Sequence, residues 1–576
     1  MNAVDQLLIQ HLDLWASAIK RKAAAGRGSS NKIELYGIKK LRELILELAV
    51  RGLLVPQDPN DEPASELLKK IVAEKARLVK EGKIKRERPL PAIDGNDAPF
   101  PLPEGWALAR LGDVINVLNG RAYKKPEMLS EGTPLLRVGN LFTSNEWYYS
   151  DLELEPEKYI DDGDLIYAWS ASFGPFIWQG GKVIYHYHIW KMDFFSKSHV
   201  DKFFFRNYLE AISASIKASG NGIAMIHMTK ERMEKLVLPI PPLAEQHRIV
   251  GKVDELMALC DQLEQQAGVN LRAHQTLVET LLNILTSASD YAQFASAWKR
   301  IANHFDTLFT TEQSIDRLQQ AILDLAVMGK LVPQDGKDEP SSELLKKIAG
   351  EKGKLVKEGK IRKEKPLPAI ADGVTPLGLP SGWRCASLQE LTALVTDGDH
   401  QAPPKADSGV PFLVIGNLNK GIVDFSDCKY VPETYYENLD WGRRPCSLDL
   451  LYTVTGSYGI PVVINSDSRF CVQRHVAILK STNSTPVAYL YLFLKSTFAF
   501  NYASSIATGI AQKTVPLSGL RAMPVTLPPL AEQHRIVAKV DTLMALCDQL
   551  KARLCDAQVT QLHLADAVAE KALAGA

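Results

Sequence analysis

Apolar residues recur in steps of three and four along two long stretches of the chain. The two series are Ile249, Val253, Leu256, Cys260, Leu263, then Leu277, Leu281 and Ile284; and Ile536, Val540, Leu543, Cys547, Leu550, then Leu554, Leu564 and Val568. This spacing is typical of a helix that buries one seam of side chains against a second helix. About 40 residues at a rise of 1.5 Å predict a rod of roughly 60 Å for each stretch.

Neither rod can hide its apolar stripe alone, so the pattern predicts that the two helices pack against each other, most simply in antiparallel orientation. Each stretch follows a double proline and carries a glutamate in its first turn, as at Pro241, Pro242 and Glu245. Both features are typical of a helix N-terminus.

The two stretches belong to a duplication of nearly the whole chain. Residues 241–263, PPLAEQHRIVGKVDELMALCDQL, recur at 528–550 with two differences. Residues 41–93 recur at 318–370, and the motif LPEGW at 102–106 returns as LPSGW at 379–383. The repeat therefore predicts a pseudo-twofold molecule in which equivalent segments have equivalent neighbours.

Between the LPxGW motifs and the double prolines, short runs of β-branched and aromatic residues predict strands with some helix between them. The fold class is accordingly predicted as α+β, with two mixed globular domains separated by two long antiparallel coiled-coil helices. Six segments follow from the repeat: a helical leader 1–100, a domain 101–240, a spacer helix 241–288, a second helical leader 289–377, a second domain 378–527 and a second spacer helix 528–576.

Composition restricts the class of protein further. A chain of 576 residues with 46% hydrophobic and 23% charged residues is typical of a globular protein with several domains. Lysine plus arginine equals aspartate plus glutamate at 67 each, so an anionic partner has to be bound by local patches. An odd set of seven cysteines without a CxxC pair, and the lack of an export signal or long apolar run, predict a cytoplasmic protein that does not cross a membrane.

No motif predicts catalysis or a metal site. The segments IPPL at 240–243 and APPK at 402–405 lack the polar first and aromatic fourth residues of an amino-methylase loop. VKEGK at 79–83 lacks the spacing of a phosphate-binding loop, and the histidines form no HExxH motif. The sequence therefore predicts a protein that is not an enzyme and holds no cofactor itself.

In combination, LAVxGxLVPQDxxDEPxSELLKKI, LPxGW, GNL and PPLxEQHRIVxKVDxLMxLCDQL closely resemble the specificity subunit of type I restriction-modification enzymes. The long leaders resemble the branch with large N-terminal and central segments. The resemblance implies two target-recognition domains that each read one half of a split sequence in double-stranded DNA. It also implies two methyltransferase subunits carrying S-adenosylmethionine, and restriction subunits that use ATP and Mg²⁺ as nuclease and translocase.

Polar positions that differ between the two domains are the candidates for DNA contact. Cations can bind phosphate or guanine, His and Gln can bind base edges, and small hydroxyl residues permit close backbone approach. The candidates are Arg121, Tyr123, Lys124, Lys125, Ser170 and Ser172 in the first domain, and His400, Gln401, Thr455, Ser457, Gln473, Arg474, Gln512 and Lys513 in the second. The alternative for the loops at 120–127 and 397–404 is a solvated turn, and the shared His188 and His475 are interpreted as structural.

A different class of function is also compatible with the repeat, namely a duplicated coiled-coil scaffold that joins two protein partners without binding DNA. Steep weakening of duplex binding with salt would favour the DNA-binding hypothesis, because phosphate contacts release counterions.

Overall fold

The computed structural model describes residues 10–21, 33–86, 88–94, 97–170, 172–218, 228–368, 370, 379–400, 403–510 and 512–574. The chain forms two compact units. Unit 1 comprises Met1–Leu271 with Ala557–Ala576, and unit 2 comprises Arg272–Asp556. Among the described residues, no helix is both long and apolar enough to cross a membrane.

Unit 1 combines helices with two four-stranded sheets. Its helices are Leu12–Ser17, Tyr36–Val50, Ala64–Lys80, Leu111–Val114, Val138–Phe142, Lys202–Ala218 and Lys230–Glu234, with 3-10 turns at Lys125–Glu127 and Pro156–Lys158. The central sheet has the strand order Ile115–Asn119, Ile189–Phe194, Leu165–Ser170, Ser172–Ile177. A second sheet has the order Tyr148–Ser150, Thr133–Leu136, Val183–Tyr185, Tyr159–Ile160, and a ribbon joins Lys20–Arg21 to Ile33–Glu34.

Unit 2 repeats this plan. Its helices are Tyr291–Asn303, Phe305–Leu308, Glu312–Val327, Ser341–Lys357, Leu388–Leu391, Glu433–Glu437, Val487–Leu494, Thr497–Ile506 and Leu517–Arg521, with 3-10 turns at Ile415–Asn417 and Trp441–Arg443. The central sheet has the order Leu394–Asp397, Val476–Lys480, Leu450–Thr453, Pro461–Val463. The smaller sheet has the order Lys429–Val431, Val410–Leu413, Cys471–Val472.

Each mixed domain is entered and left through one antiparallel strand pair. Ala107–Arg110 pairs with Val237–Ile240 in unit 1, and Arg384–Ser387 pairs with Pro524–Leu527 in unit 2. The exit strand leads directly into the double proline and then into a 45-residue helix, Leu243–Ser287 (spacer helix 1) or Leu530–Ala574 (spacer helix 2). The domain is therefore tied at both of its ends beside the start of a spacer helix.

The start of each spacer helix shares a core with the end of the other. In unit 1, Ile249 and Val253 belong to the same buried cluster as Ala565 and Ala569. In unit 2, Val278, Leu282 and Leu285 belong to one cluster with Ile536 and Val540. This is the arrangement of an antiparallel helix pair.

The buried seam starts where the heptad pattern places it and then drifts. Ile249, Val253, Leu256, Cys260, Ile536, Val540 and Cys547 are buried, whereas Leu263, Leu543 and Leu550 are half-buried. Farther along, Leu281, Leu554 and Val568 are half-buried against the cores. The pattern is wrong at Leu277, Ile284 and Leu564, which are exposed, and their neighbours Val278, Leu285 and Ala565 are buried instead. An α-helix has 3.6 residues per turn, so a strict heptad drifts by about 20° per repeat and the buried face moves to the next residue.

Candidate nucleic-acid interface

A buried glutamate fixes the mixed domain, the leader and the spacer helix together in unit 1. The Glu245 carboxylate accepts hydrogen bonds from Trp106 Nε1 and Gln57 Nε2, both at 3.1 Å. One helical turn farther on, Arg248 pairs with Asp61 at 2.7 Å. Burial raises the pKa of Glu245 above its usual range, against the opposing effect of the two hydrogen bonds.

Unit 2 contains the same junction at the equivalent positions. Glu532 accepts from Trp383 Nε1 at 3.0 Å and from Gln334 Nε2 at 3.2 Å, and Arg535 pairs with Asp338 at 2.6 Å. Burial likewise raises the pKa of Glu532. The motifs VPQD, DEP, LPxGW and EQHR recur in the sequence because their side chains meet at one place in each unit.

Several loops converge at one end of the central sheet of unit 1, which we call tip 1. Strand Ile115–Asn119 ends there and Ile189–Phe194 begins there, with Asn119 opposite Trp190. Leu165–Ser170 also ends there, with Ser170 opposite Ser172. Tip 1 therefore collects the turns 120–125 and 186–188 together with the two serines.

The equivalent end of the central sheet of unit 2, tip 2, collects four loops. Asp399 bridges to Gln473, which brings the turn after the first strand beside the turn before Val476. Thr455 bridges to Thr514, and the Gly456 amide donates to the Lys513 carbonyl at 2.9 Å. Loops that lie far apart in the sequence thus form one surface.

The side chains predicted at tip 1 differ in accessibility. Lys124 and Lys125 are exposed, and Ser172 is half-exposed. Arg121 is held by Glu127 at 2.6 Å and lies over the Tyr123 ring. Tyr123 and Ser170 are each only 8% exposed, and burial raises the pKa of Tyr123 to about 12. The side chains of Tyr123 and Ser170 therefore face the interior, and direct DNA contact by these two residues stays a prediction.

Tip 2 presents most of its predicted side chains to solvent. His400, Ser457, Arg474, Gln512 and Lys513 are exposed, and His400 Nε2 lies 3.1 Å from the Asp397 carboxylate. Gln473 is half-buried, with Nε2 at 3.1 Å from His475 Nδ1. Thr455 is buried and accepts a hydrogen bond from Thr514, and direct DNA contact by this residue likewise stays a prediction. Gln401 lies outside the described residues.

The two shared histidines have equivalent backbone roles. The His188 carbonyl accepts from the Trp169 amide at 3.1 Å, and the His475 carbonyl accepts from the Val454 amide at 3.0 Å. Burial, and secondarily Arg474, lowers the pKa of His475. The comparison of the two copies of the repeat did not select the aromatic side chains of Trp169 and Tyr187 at tip 1. Alignment of HYH at 186–188 with QRH at 473–475 nevertheless places Tyr187 opposite Arg474.

Among the described residues, no group of three or more His, Cys, Asp or Glu side chains is arranged to hold a metal ion. The exposed parts of the tips are instead suited to polar and stacking contacts with a large ligand. Lysine and arginine bind phosphates, and Gln, Ser and His side chains bind base edges.

Comparison with known proteins gives consistent results. The family model "Type I restriction modification DNA specificity domain" matches residues 103–271 and 380–557. The EcoAI specificity subunit of Escherichia coli is 40% identical, with 99% of this chain and all of that protein covered; the EcoEI specificity subunit of E. coli is 38% identical with the same coverage. The HsdS subunit from Thermoanaerobacter tengcongensis, a solved structure, is 18% identical over 83% of this chain and 98% of that chain, with a TM-score of 0.37. The family match and the two E. coli relatives confirm the resemblance seen in the sequence, and the chain belongs to the family of type I restriction-modification specificity subunits.

Proposed function

We propose that this chain reads a bipartite target in double-stranded DNA, with one half-site contacted by each tip. The observation that carries the proposal is the internal comparison of the tips. Equivalent turns have equivalent backbone hydrogen bonds, whereas the exposed side chains differ between the copies. The two domains therefore share a backbone arrangement but present different side chains at its surface. This combination suits two domains that approach DNA in the same orientation and recognise different base sequences.

The remaining segments have supporting roles in this proposal. The domains 101–240 and 378–527 recognise DNA, the segments 241–288 and 528–576 act as spacers, and the leaders 1–100 and 289–377 provide docking surfaces. Two methyltransferase subunits carrying S-adenosylmethionine bind to the chain, and restriction subunits supply nuclease and translocase activity with ATP and Mg²⁺. Catalysis resides in these partners, and the complex works in the cytoplasm.

Exchange of residues 101–240 for the corresponding domain of a relative is expected to change one half of the target and to leave the other half unchanged. The exchange is feasible because the domain enters and leaves through one strand pair, Ala107–Arg110 with Val237–Ile240. Sequencing of methylated adenines in DNA from cells that carry the chimera and its methyltransferase measures the outcome.

The matched control exchanges residues 378–527 and is expected to change the opposite half. If both halves change in either chimera, the domains do not recognise DNA independently. If neither the natural chain nor a chimera directs methylation to a split sequence, the scaffold hypothesis without DNA binding is favoured instead.

Removal of the exposed cations of tip 2 is expected to weaken DNA binding and to reduce its salt dependence. Arg474→Ala and Lys513→Ala each remove one positive charge. If that charge binds a phosphate, its removal lowers the magnitude of the slope of log K against log [salt] by about 1. Arg469→Ala is the control, because Arg469 is also exposed but pairs with Glu433 at 2.7 Å outside the tip. An unchanged slope in both tip variants would exclude phosphate contacts by these two side chains.

A further inference from the structure

Tip 1 carries a cluster of aromatic and imidazole rings at the position where tip 2 carries polar and cationic groups. The Tyr187 ring centroid lies 4.0 Å from that of His188 and 4.4 Å from that of His186. The Trp169 ring lies 6.3 Å from Tyr187 and donates a hydrogen bond from Nε1 to the Tyr187 carbonyl at 3.0 Å. Tyr187 is the most accessible of these rings, with 39% of its surface exposed.

The turn that presents Tyr187 has the same backbone hydrogen bonds as the turn that presents Arg474. The His186 amide donates to Leu136 and the Gln473 amide donates to Leu413, both at 3.0 Å. The Ile189 amide closes the first turn onto the His186 carbonyl, as the Val476 amide does onto the Gln473 carbonyl, again at 3.0 Å. Tyr187 and Arg474 therefore occupy equivalent places on equivalent turns, and the chemistry that each tip offers at this place differs.

One imidazole beside Tyr187 carries no charge that would attract a phosphate. Burial, and then the nearby His188 and Arg137, lowers the pKa of His186 to about 4, so this imidazole is neutral at pH 7. In a duplex the base faces are stacked on one another, so an exposed aromatic ring contacts base edges and apolar groups such as the thymine methyl, and these contacts do not release counterions. The hydrogen bonds and ring contacts around Tyr187 also fix its position before binding, which lowers the entropic cost of the contact.

We propose that Tyr187, supported by Trp169, His186 and His188, contacts a base of the half-site that tip 1 recognises. This inference rests on the proposed DNA-binding function and assigns the two tips different recognition chemistry. At this position tip 1 uses an aromatic contact with a base, whereas tip 2 uses the guanidinium of Arg474.

The test compares binding of the full chain, in complex with its methyltransferase, to a duplex containing the split sequence found by methylation mapping. Tyr187→Ala is expected to weaken binding by about tenfold while leaving the slope of log K against log [salt] unchanged. Tyr187→Leu keeps an apolar side chain but removes the ring and its hydroxyl group, so a smaller loss is expected, and this variant tests the contact if the alanine variant folds poorly. Phe203→Ala is the matched control, since Phe203 is 40% exposed in the same unit and lies on helix Lys202–Ala218 outside the tip.

Base substitutions in the duplex give a second measurement. Tyr187→Leu is expected to relax discrimination at one position in one half-site, and Arg474→Ala, in the other tip, is expected to leave discrimination in that half-site unchanged. The inference is overturned if folded Tyr187 variants bind as the natural chain does, or if they reduce the salt slope. Failure of the natural chain to bind any split duplex would instead contradict the proposed function itself.

Discussion

Val278→Asp is expected to destabilise unit 2 strongly, whereas the same substitution at the adjacent Leu277 is expected to have a small effect. Val278 is 1% exposed and packs in the core that contains Ile536 and Val540, while Leu277 is 51% exposed. An unpaired carboxylate in an apolar core costs several kcal/mol, on the order of half the stability of a typical domain. Leucine has a higher helix propensity than valine, so the loss of helix propensity is larger at Leu277, and a larger loss of unfolding free energy at Val278 therefore reports burial.

Chemical denaturation followed by circular dichroism measures this difference. Unit 1 offers an independent pair at the other end of the helix pair, with Ala565→Asp expected to destabilise strongly and Leu564→Asp weakly, since Leu564 is 50% exposed and Ala565 is fully buried. The structure is contradicted if the loss of unfolding free energy is larger at Leu277 than at Val278, or larger at Leu564 than at Ala565. Either result would mean that the buried face follows the strict heptad pattern.

These pairs also mark where sequence analysis of the helices stops. The pattern predicts Ile249, Val253 and Cys260 at the seam, and all three are buried. Leu277 lies four heptads after Ile249, so extrapolation at 3.5 residues per turn accumulates a drift of about 80°, which moves burial from Leu277 to Val278. The periodicity therefore predicts that the helix has a packed face along most of its length. It predicts which residues form that face only over the first few turns.

The candidate interface shows a different limit. Comparison of the two copies identified Arg474 and Lys513, which are exposed, because a charged residue at each position stands opposite an uncharged one, Tyr187 or Ile226, in the first copy. It also selected Tyr123, whose hydroxyl group suggested a polar contact although the ring is buried beneath Arg121. Conversely, it passed over Tyr187, because an aromatic residue in a strand-rich domain is ordinarily a core residue. Burial depends on tertiary packing, which neither composition nor spacing specifies.

The junction around the repeated glutamate was visible as motifs but not as contacts. Trp106 and Gln57 precede Glu245 by 139 and 188 residues, so no local pattern connects their side chains. The duplication nevertheless contains the necessary signal, since all three residues recur with Trp383, Gln334 and Glu532. Residues that recur together in both copies are candidates for one shared cluster, whatever their separation along the chain.

Breaking this junction is expected to produce the second large effect. Glu245→Ala leaves the buried Trp106 indole without its acceptor, which costs about 1–3 kcal/mol, whereas the exposed Gln57 amide still donates to the Gly52 carbonyl at 2.7 Å. Glu245→Gln keeps the shape but directs an amide donor at one of the two existing donors, so an intermediate loss is expected. Trp106→Phe removes one donor, and a double-mutant cycle with Glu245→Gln should give a coupling free energy of about 0.5–3 kcal/mol. Glu255→Gln is the control, because Glu255 lies exposed on the same helix.

The junction also predicts a direction for the dependence of stability on pH. Burial raises the folded-state pKa of Glu245, so the folded state favours the neutral carboxyl. The stabilisation from protonation is fully present below the unfolded value of about 4.3 and is lost as the pH rises through the folded value. Lowering the pH from 7 to 5 should therefore increase the unfolding free energy of the natural chain relative to Glu245→Gln, in which this group does not titrate.

Denaturation of both proteins at the two pH values measures the difference between their unfolding free energies. Contributions from the other carboxylates cancel in this difference. A difference that stays constant, or that moves in favour of Glu245→Gln as the pH falls, would show that the hydrogen bonds from Trp106 and Gln57 outweigh burial and hold the glutamate in its charged form.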